Sequence, residues 1–413
     1  MFLRRLEVTN YMIHQSTRVN LYPVTVFVGS NNGGKSALFD ALLNFSMVSR
    51  GRLSQAFGQG PRSYQSTRHR GASKASRIGY RVEISSEPED SACVEYTVTY
   101  SQKGGVQDPP SYVIHDETLT RLDTGLDLFS RANIDACTIP GVVNYIGEDQ
   151  SLFAAVRHAQ FTGQYEETDP LVTEIARDIS RVSKFRLVPH FLRDPSPLPE
   201  TAVEDPGAAG RAPRISYSGR DLAAVLYYLA EVGSPVLDEI VARCKEVVSG
   251  FEGFDFNTTA AGEIGFSVRF GDVRGTVSAA MLSDGTVSLI GYLALLLGPS
   301  RPPVLMLEEP ENGLTPRSTR AIYEAVLEAA KPTASPRTQV LVSSHSPHVI
   351  VQAWNGEERD FIYQVKVSDG RAVVRPFKDI IDEAGYHLQK DEHGDRKTLG
   401  LPLADRIMDG YWS

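Results

Sequence analysis

Apolar and polar residues change their spacing several times along the chain, and each spacing predicts a different element. Residues 2–12, 77–86 and 92–101 alternate between apolar and polar side chains, as half-buried strands do. The last two stretches flank a short polar turn, so they predict an antiparallel hairpin. Continuous apolar runs over 24–28 and 304–307 predict buried strands.

Three later stretches have the spacing of amphipathic helices, over residues 169–184, 219–233 and 234–251. Between the first two lies a segment rich in Pro, Ala and Gly, residues 194–214, which predicts an exposed and mobile loop. No heptad repeat continues for the length of a coiled-coil arm. These features predict a compact and mostly helical insertion at residues 103–270.

The insertion divides the chain into four parts. We expect residues 1–102 and 271–365 to form the two halves of one domain, and residues 366–413 to form a C-terminal tail. A chain of 413 residues is too long for one ordinary core, so a large domain with an insertion is a natural solution.

Composition argues against a membrane protein. The chain is 41% hydrophobic and 23% charged with a net charge of −9, which is typical of a globular soluble protein. No window approaches the roughly eighteen apolar residues of a membrane span, and the N-terminus lacks the apolar core of a signal peptide. We therefore expect a cytoplasmic protein with no membrane partner. Cys93, Cys137 and Cys244 lack the paired spacing of a disulfide framework or a zinc site, and we expect buried thiols.

The strongest chemical signal is a strand, a glycine-rich loop and a helix in VTVFVGSNNGGKSALFDALLN. The loop fits the spacing G-x-x-x-x-G-K-S. Its backbone N–H groups and the helix dipole would hold phosphate oxygens, Lys35 would neutralise the β- and γ-phosphates, and Ser36 would bind Mg²⁺. The alternative is a glycine-rich turn without a ligand, but the flanking strand and helix favour a nucleoside triphosphate. The predicted phosphate-binding residues are Gly29, Asn31, Asn32, Gly33, Gly34, Lys35, Ser36 and Ala37.

A second signal is PPVLMLEEPENGLTP, where the apolar strand ends in Glu308 and Glu309. Parallel sheets present their chemistry at the carboxyl ends of their strands. Glu308 suits Mg²⁺ coordination, and Glu309 suits the base that orients and deprotonates an attacking water. The stretch TQVLVSSHSPHVI predicts a further strand with His345 at its tip. The alternatives are a solvated strand end and a structural histidine.

A third signal is AAMLSDGTVSL, a polar turn directly before an apolar run. Taken alone, it predicts only a helix start, with Ser283 and Asp284 as candidate N-caps and Gly285 easing the turn. A hydroxyl, backbone N–H groups and a helix dipole also suit an anion. Both interpretations stay open at this point.

The order of these motifs resembles that of the ATP-binding-cassette (ABC) ATPases, and within them the SMC, RecF and OLD-type branch. The resemblance covers residues 1–100 and 215–365. It implies an α/β P-loop NTPase of the ABC ATPase type, with a mixed-sheet lobe and a parallel core sheet flanked by helices, around the inserted helical subdomain. The chain departs from the family at Asp284, where the transporter version has Gly, and at Thr315, where His is frequent. The Q-loop glutamine is not placed.

The resemblance also implies roles for individual residues. In that family the turn occupied here by LSDGT closes over the γ-phosphate bound by a second subunit, which assigns Ser283 and Gly285 to a partner's ATP. Glu309 becomes the catalytic carboxylate and His345 the histidine that senses the γ-phosphate. The implied cofactors are ATP and Mg²⁺, and the implied partner is a second copy of the chain, in a homodimer or higher homo-oligomer held through an ATP sandwich.

One segment is basic although the whole chain is acidic. There is no Asp or Glu from Ala41 to Val82. Phosphate backbones bind such segments, and Phe57, Tyr64 and Tyr80 could stack on bases, so residues 50–81 predict a DNA partner. A solvated loop or a contact for an acidic protein is equally compatible. The basic residues are Arg50, Arg52, Arg62, Arg68, Arg70, Lys74, Arg77 and Arg81.

Two functional classes follow. In the first, ATP-driven dimerisation and hydrolysis serve a DNA-associated process, such as DNA repair or bacteriophage defence. In the second, ATP-held oligomers hold and release a separate effector protein, a nuclease or toxin, with slow turnover. A transporter subunit fits less well. The acidic cluster Asp391, Glu392 and Asp395 follows no strand, so it predicts a solvated turn, and we expect any nuclease to be a separate protein.

Overall fold

The computed structural model describes residues 1–58, 63–73, 76–87, 93–103, 110–133, 136–138, 147–161, 170–198, 212–271, 274–355, 361–383, 389–390 and 397–409. The elements of the N-terminal part are β1 (Phe2–Tyr11), β2 (His14–Asn20), β3 (Val24–Val28), α1 (Lys35–Arg50), α2 (Leu53–Gly58), α3 (Tyr64–Thr67), β4 (Ile78–Ser85), β5 (Val94–Gln102), β6 (Tyr112–Arg121), β7 (Asp127–Asn133), β8 (Ala136–Thr138), α4 (Leu152–Phe161) and α5 (Pro170–Ile179).

The remaining elements follow in chain order. They are β9 (Ser183–Phe185), α6 (Pro189–Leu192), β10 (Ser196–Pro197), α7 (Leu222–Glu231), α8 (Pro235–Val247), β11 (Phe251–Thr258), β12 (Glu263–Phe270), β13 (Thr276–Ser278), a 3₁₀ turn (Ala279–Met281), α9 (Asp284–Leu297), β14 (Val304–Glu308), α10 (Pro316–Ala330), β15 (Gln339–Ser344), α11 (Pro347–Asn355), β16 (Ile362–Ser368), β17 (Arg371–Pro376), α12 (Phe377–Glu383), β18 (Gln389–Lys390), β19 (Lys397–Thr398) and α13 (Leu401–Asp409).

The chain forms two compact units. The first contains Met1–Val182, Glu358–His387 and Arg406–Ser413, and the second contains Ser183–Glu357 and Leu388–Asp405. The predicted divisions after residues 102, 270 and 365 do not coincide with these units. Strands β6 to β8 extend the sheet of the first unit, and β9 pairs with β14 and so belongs to the second.

A wide antiparallel sheet dominates the first unit. Its described strands number seven, in the order β2-β1-β4-β5-β6-β7-β8. The predicted hairpin is confirmed as β4 and β5, with Tyr80 opposite Val98. Alternating side chains cover α1, where the ring of Phe45 lies 5.5 Å from that of Tyr80. The hydroxyl of Tyr100 donates to Asn44 Oδ1 at 2.6 Å. This sheet therefore anchors the helix that follows the glycine-rich loop.

The strand that leads into that loop is β3, whose residues are all buried. It pairs in parallel with β16, with Val26 opposite Ile362, and β16 pairs antiparallel with β17. The ring of Phe27 stacks on that of Tyr363 at 5.8 Å. The predicted buried strand at residues 24–28 is confirmed.

The second unit contains a parallel set of strands with β14 between β15 and β9. Leu307 of β14 lies opposite Val342 on one side and Phe185 on the other. Every residue of β14 and β15 is buried, which explains their continuous apolar sequences. Both predicted strands are confirmed, and both end where the predicted catalytic residues begin.

The segment 103–270 contains strands as well as helices. The stretches 219–233 and 234–251 form α7 and α8 as predicted. The helix predicted over 169–184 ends at Ile179, and the residues after it enter β9. A strand of three residues leaves no periodicity to detect, and only its pairing with β14 defines it.

Several expectations fall partly outside the described residues. Most of the loop predicted at 194–214 lies there, as do the side chain of Cys137 and the cluster Asp391, Glu392 and Asp395. Cys244 is buried, and burial raises the pKa of its thiol to about 12, whereas Cys93 is half-buried. Among the described helices, none is both long and apolar enough to cross a bilayer.

Candidate active site

The glycine-rich loop joins β3 to α1 in the first unit. The N–H of Gly33 donates to the carbonyl of Ser30 at 3.1 Å, and Gly34 precedes the helix with a φ of 107°. Lys35 is buried, and its Nζ donates to the carbonyls of Gly29 at 2.7 Å and Ser30 at 3.0 Å. The loop therefore curls around the ammonium group of Lys35.

Glycine is required at two positions of this loop because β16 passes close to it. A Cβ on Gly29 would lie 2.2 Å from the carbonyl oxygen of Val365, and a Cβ on Gly33 would lie 2.6 Å from it. Asn32 is left-handed with a φ of 64°. The side chains of Asn31, Asn32 and Ser36 are exposed and that of Ala37 is half-buried. A glycine-rich loop directly before a helix N-terminus is suited to an anion, and Ser36 is exposed beside it.

A buried histidine supports the loop from below. The Nε2 of His14 lies 3.1 Å from the carbonyl of Gly34, and its Nδ1 lies 2.9 Å from Thr17 Oγ1. A carbonyl only accepts, so Nε2 carries the proton and Nδ1 accepts from the hydroxyl of Thr17. Burial, with a smaller effect from nearby His69, lowers the pKa of His14 to about 4. The imidazole of His14 is therefore neutral, and its hydrogen bond to the carbonyl of Gly34 supports the backbone at the start of α1.

The second unit brings Glu309 and His345 together at the ends of β14 and β15. The Nδ1 of His345 lies 3.4 Å from Glu309 Oε1, and the Nδ2 of Asn312 donates to Glu309 Oε2 at 3.0 Å. Glu309 has a left-handed φ of 48°, and its N–H donates to the carbonyl of Ser343 at 2.9 Å. Strained backbone of this kind is concentrated at functional sites. Asn312 thus holds one oxygen of the carboxylate, and the imidazole of His345 lies beside the other oxygen without a hydrogen bond to it.

A third acidic residue, Glu311, organises the same corner. Its Oε1 accepts from the hydroxyl of Ser344 at 2.7 Å and from the N–H of His345 at 3.1 Å. Burial raises the pKa of the Glu311 carboxyl, although these hydrogen bonds oppose the shift. Glu311 therefore fixes the end of β15, and with it the position of the histidine.

Glu308 has a partner that the sequence did not indicate. Its Oε2 lies 3.2 Å from the Nζ of Lys184 on β9, and both side chains are only 6% exposed. A carboxylate buried to this degree needs a cation nearby, and Lys184 supplies one. The carboxylate oxygens suit Mg²⁺, which would share Glu308 with the lysine or displace it.

The polar turn before α9 is a helix start. Ser283 is the N-cap, and its Oγ accepts from the N–H of Thr286 at 3.1 Å. Ser283 is exposed, and a Cβ on Gly285 would lie 3.2 Å from the carbonyl of Gly313, in the loop that follows Glu309. The helix-cap interpretation is confirmed, and the exposed hydroxyl at a helix N-terminus is also the arrangement that an anion requires.

The proposed base-stacking residues are not on the surface. Phe57, Tyr64 and Tyr80 are 4%, 5% and 2% exposed. Phe57 and Tyr64 form an edge-to-face pair at 5.6 Å, and Tyr80 stacks on Tyr100 at 6.2 Å. The prediction that they stack on bases is wrong, because the antiparallel sheet uses these rings as core.

Most of the described arginines of residues 50–81 have a partner within the chain, either a carbonyl oxygen or an acidic side chain. Arg50 donates to the carbonyl of Val182 at 3.2 Å, and burial lowers its pKa, while Arg68 donates to the carbonyl of Ser73 at 2.6 Å. Arg70 is exposed, and Arg62 and Lys74 lie outside the described residues. Three further arginines form ion pairs: Arg52 with Asp149, Arg77 with Asp116 and Arg81 with Glu95.

The predicted residues thus fall into two groups. The loop from Gly29 to Ala37 lies in the first unit, and Ser283, Gly285, Glu308, Glu309 and His345 lie in the second. Sequence reasoning missed the supporting residues His14, Lys184 and Glu311. Only Glu311 carried a signal, as the third acid of LEEPEN. The others come from elements with no motif of their own.

A glycine-walled loop around a buried lysine, directly before a helix, defines the class of P-loop nucleotide-binding proteins. The family model described as "AAA domain, putative AbiEii toxin, Type IV TA system" matches residues 24–351. The chain belongs to this AAA-domain family, and the family-level prediction made from the sequence is confirmed. A comparison with curated proteins gave no significant match.

Three solved structures of SMC head domains are similar to the chain at low identity. One is the SMC head bound to the C-terminal winged-helix domain of ScpA, with 12% identity, a TM-score of 0.47, and coverage of 92% of this chain and 100% of that one. The head domain from Thermotoga maritima has 14% identity, a TM-score of 0.42 and coverage of 91% and 99%. The Pyrococcus furiosus head domain with an extended coiled coil has 12% identity, a TM-score of 0.48 and coverage of 93% and 98%.

Proposed function

We propose that this chain is an ABC-type ATPase that binds ATP and Mg²⁺, assembles as a dimer when ATP is bound, and couples ATP hydrolysis to a further process. The observation that carries the proposal is the carboxylate of Glu309, held by Asn312 on one oxygen and 3.4 Å from His345 Nδ1 on the other. A base fixed in this way at a strand end is suited to orienting a water molecule.

The residues of the chain divide the work of hydrolysis. The loop from Gly29 to Ala37 would hold the phosphates through backbone N–H groups and Lys35. Ser36 and Glu308 would hold Mg²⁺, which would supply positive charge to the phosphates. Glu309 would accept the proton of the attacking water as the water oxygen bonds to the γ-phosphorus. The bond from that phosphorus to the bridging oxygen breaks, giving ADP and phosphate. His345 would lie beside the γ-phosphate.

The dimer would complete each site. Ser283 is exposed at the N-terminus of a helix of fourteen residues, so it can meet the γ-phosphate bound by a second copy of the chain. Gly285 lets the loop after Glu309 approach the turn closely. In this arrangement ATP itself is the main contact that holds the two copies together.

The decisive experiment is the mass in solution of Glu309→Gln with and without ATP and Mg²⁺. Removing the base should preserve the ATP-bound state, so we expect ATP to double the mass. Adding Ser283→Arg in the same background is the matched control, because its bulk and charge block the turn, and it should stay monomeric. If ATP changes the mass of neither variant, the proposal of ATP-driven dimerisation is refuted.

A second candidate is the ATP-dependent scaffold that holds and releases an effector protein. Two observations favour it over the DNA-associated process: arginines of the basic segment are already paired with acids of this chain, and the family description refers to a toxin and a toxin–antitoxin system. Duplex DNA should then leave the ATPase rate unchanged, and so should Arg68→Glu and Arg70→Glu. Stimulation by DNA that these changes abolish would instead support the DNA-associated process.

A further inference from the structure

An arginine from a neighbouring helix sits on the turn that begins α9. Arg193, the C-cap of α6, donates from Nη2 to the carbonyl of Leu282 at 2.7 Å. The same nitrogen forms an ion pair with the carboxylate of Asp284. The side chain of Arg193 is 20% exposed and that of Asp284 is 66% exposed. Arg193 therefore contacts the residues on both sides of Ser283.

This arrangement is not explained by stability. A cation near a helix N-terminus opposes the helix dipole, and only Asp284 interacts favourably with it there. Within the described chain, the Nε of Arg193 is buried without a hydrogen-bond partner, which is a further cost. An exposed ion pair adds little to the free energy of unfolding, so it does not offset this cost. The favourable contacts of this guanidinium are with the turn itself, at the Leu282 carbonyl and at Asp284, so its role is to be sought there.

The fold nevertheless builds the contact with care. Leu192 packs directly on the middle of α9, where a Cβ on Gly291 would lie 2.8 Å from its Cδ2 atom. A residue other than glycine at this position would meet the side chain of Leu192 and disturb this packing. Leu192 is fully buried, so the guanidinium starts from a rigid support.

The turn also has an electrostatic problem. An anion-binding turn should not present a carboxylate, yet Asp284 stands next to Ser283. A carboxylate about 6 Å from a phosphate oxygen would weaken phosphate binding between about threefold and a hundredfold, according to the local screening. A guanidinium on that carboxylate removes most of this repulsion. Its second hydrogen bond, to the Leu282 carbonyl, fixes the peptide plane that carries the N–H of Ser283.

We propose that Arg193 is a positioning residue that neutralises Asp284 and orients the Ser283 peptide, so that the turn can accept the γ-phosphate bound by a second copy of the chain. This inference rests on the proposed ATP-driven dimer. It makes Asp284 the reason that Arg193 is needed, which is a relation that a double substitution can test.

The test uses the full chain in the Glu309→Gln background and measures the ATP concentration at half-assembly. Arg193→Met keeps the apolar stem and removes the charge, and we expect it to raise that concentration about tenfold. Asp284→Asn should assemble at the parent's ATP concentration or below it, because it removes the carboxylate and keeps the guanidinium. The double variant Arg193→Met/Asp284→Asn should return to within about threefold of the parent, because no uncompensated carboxylate remains.

Other readouts separate this role from a structural one. ATP affinity should be unchanged in all three variants when it is measured at a protein concentration too low for assembly. The midpoint of thermal unfolding should also be unchanged. Arg193→Lys, which keeps the charge, should assemble nearly as well as the parent, and it serves if Arg193→Met does not fold. The effect of Arg193→Met should shrink at high salt, because Asp284 is exposed.

Three outcomes would overturn the inference. The first is assembly of Arg193→Met at the parent's ATP concentration, and the second is failure of Asp284→Asn to restore assembly in the double variant. The third is a loss of thermal stability in Arg193→Met that parallels its loss of assembly. If the Glu309→Gln parent itself does not assemble with ATP, the dimer proposal fails first. The two failures are therefore distinguishable.

Discussion

The buried His14 makes a quantitative prediction about pH. Its pKa falls from 6.5 to about 4 in the folded chain, chiefly through burial. Between pH 6.5 and about 4, His14 binds a proton in the unfolded chain but not in the folded chain. The free energy of unfolding therefore falls as the pH is lowered through this range. Each pH unit is worth about 1.4 kcal/mol per proton, so the whole window is worth about 3 kcal/mol. Above pH 6.5 the residue contributes no pH dependence.

The perturbation is His14→Gln, whose Nε2 can still donate to the carbonyl of Gly34. The assay is urea denaturation of the wild type and the variant at several pH values between about 7.5 and 4.5. The difference between the two free energies of unfolding isolates His14, because carboxyl groups titrate in both proteins. We expect the wild type to lose stability relative to the variant as pH falls from 6.5.

The matched control is His158→Gln, which removes an exposed histidine from α4 and should keep the wild-type pH dependence. Parallel curves for the wild type and His14→Gln would refute the reasoning. They would mean that water or a local opening reaches the ring, so that it binds a proton equally in the folded and unfolded chain.

Three further changes test the site. Gly29→Ala places a Cβ 2.2 Å from the carbonyl of Val365, so nucleotide affinity should fall about tenfold or more by titration calorimetry; wild-type affinity would show that the loop adapts. Lys184→Met leaves the Glu308 carboxylate buried without its cation, and we expect a loss of about 3 kcal/mol in urea denaturation, mostly recovered by adding Glu308→Gln. Glu311→Ala removes the acceptor at the end of β15 and should lower ATP turnover about tenfold, whereas Glu311→Gln keeps one carbonyl oxygen and should lose less; equal turnover in both would contradict this role.

The predicted elements that proved correct share a local cause. The glycine-rich loop and its flanking elements follow from glycine spacing and β-branched residues within a short stretch, and Ser283 caps its helix through a bond to a residue three positions away. Strand β14 is continuous and apolar because it is buried on both faces. Such signals are complete within a few residues, so the sequence displays them directly.

The predictions that failed required knowledge of distant partners. Tyr64 and Tyr80 look like stacking residues beside arginines, but the sheet turns them inward. The ion pair of Arg77 with Asp116 from β6 was likewise not visible in the sequence. Burial and ion pairing depend on which strands become neighbours, and strand pairing at a separation of tens of residues leaves no local pattern.

The amino-acid sequence by itself determined the class of this protein, because the glycine-rich loop and the acidic strand end are each built from consecutive residues. Only the tertiary structure decided how these residues are supported. His14 under the loop, Lys184 beside Glu308 and Arg193 over Asp284 each reach their partners through folding rather than through spacing. The physical reason is that charge and hydrogen-bond partners are chosen by distance in space, and only backbone turns and caps are settled by distance along the chain.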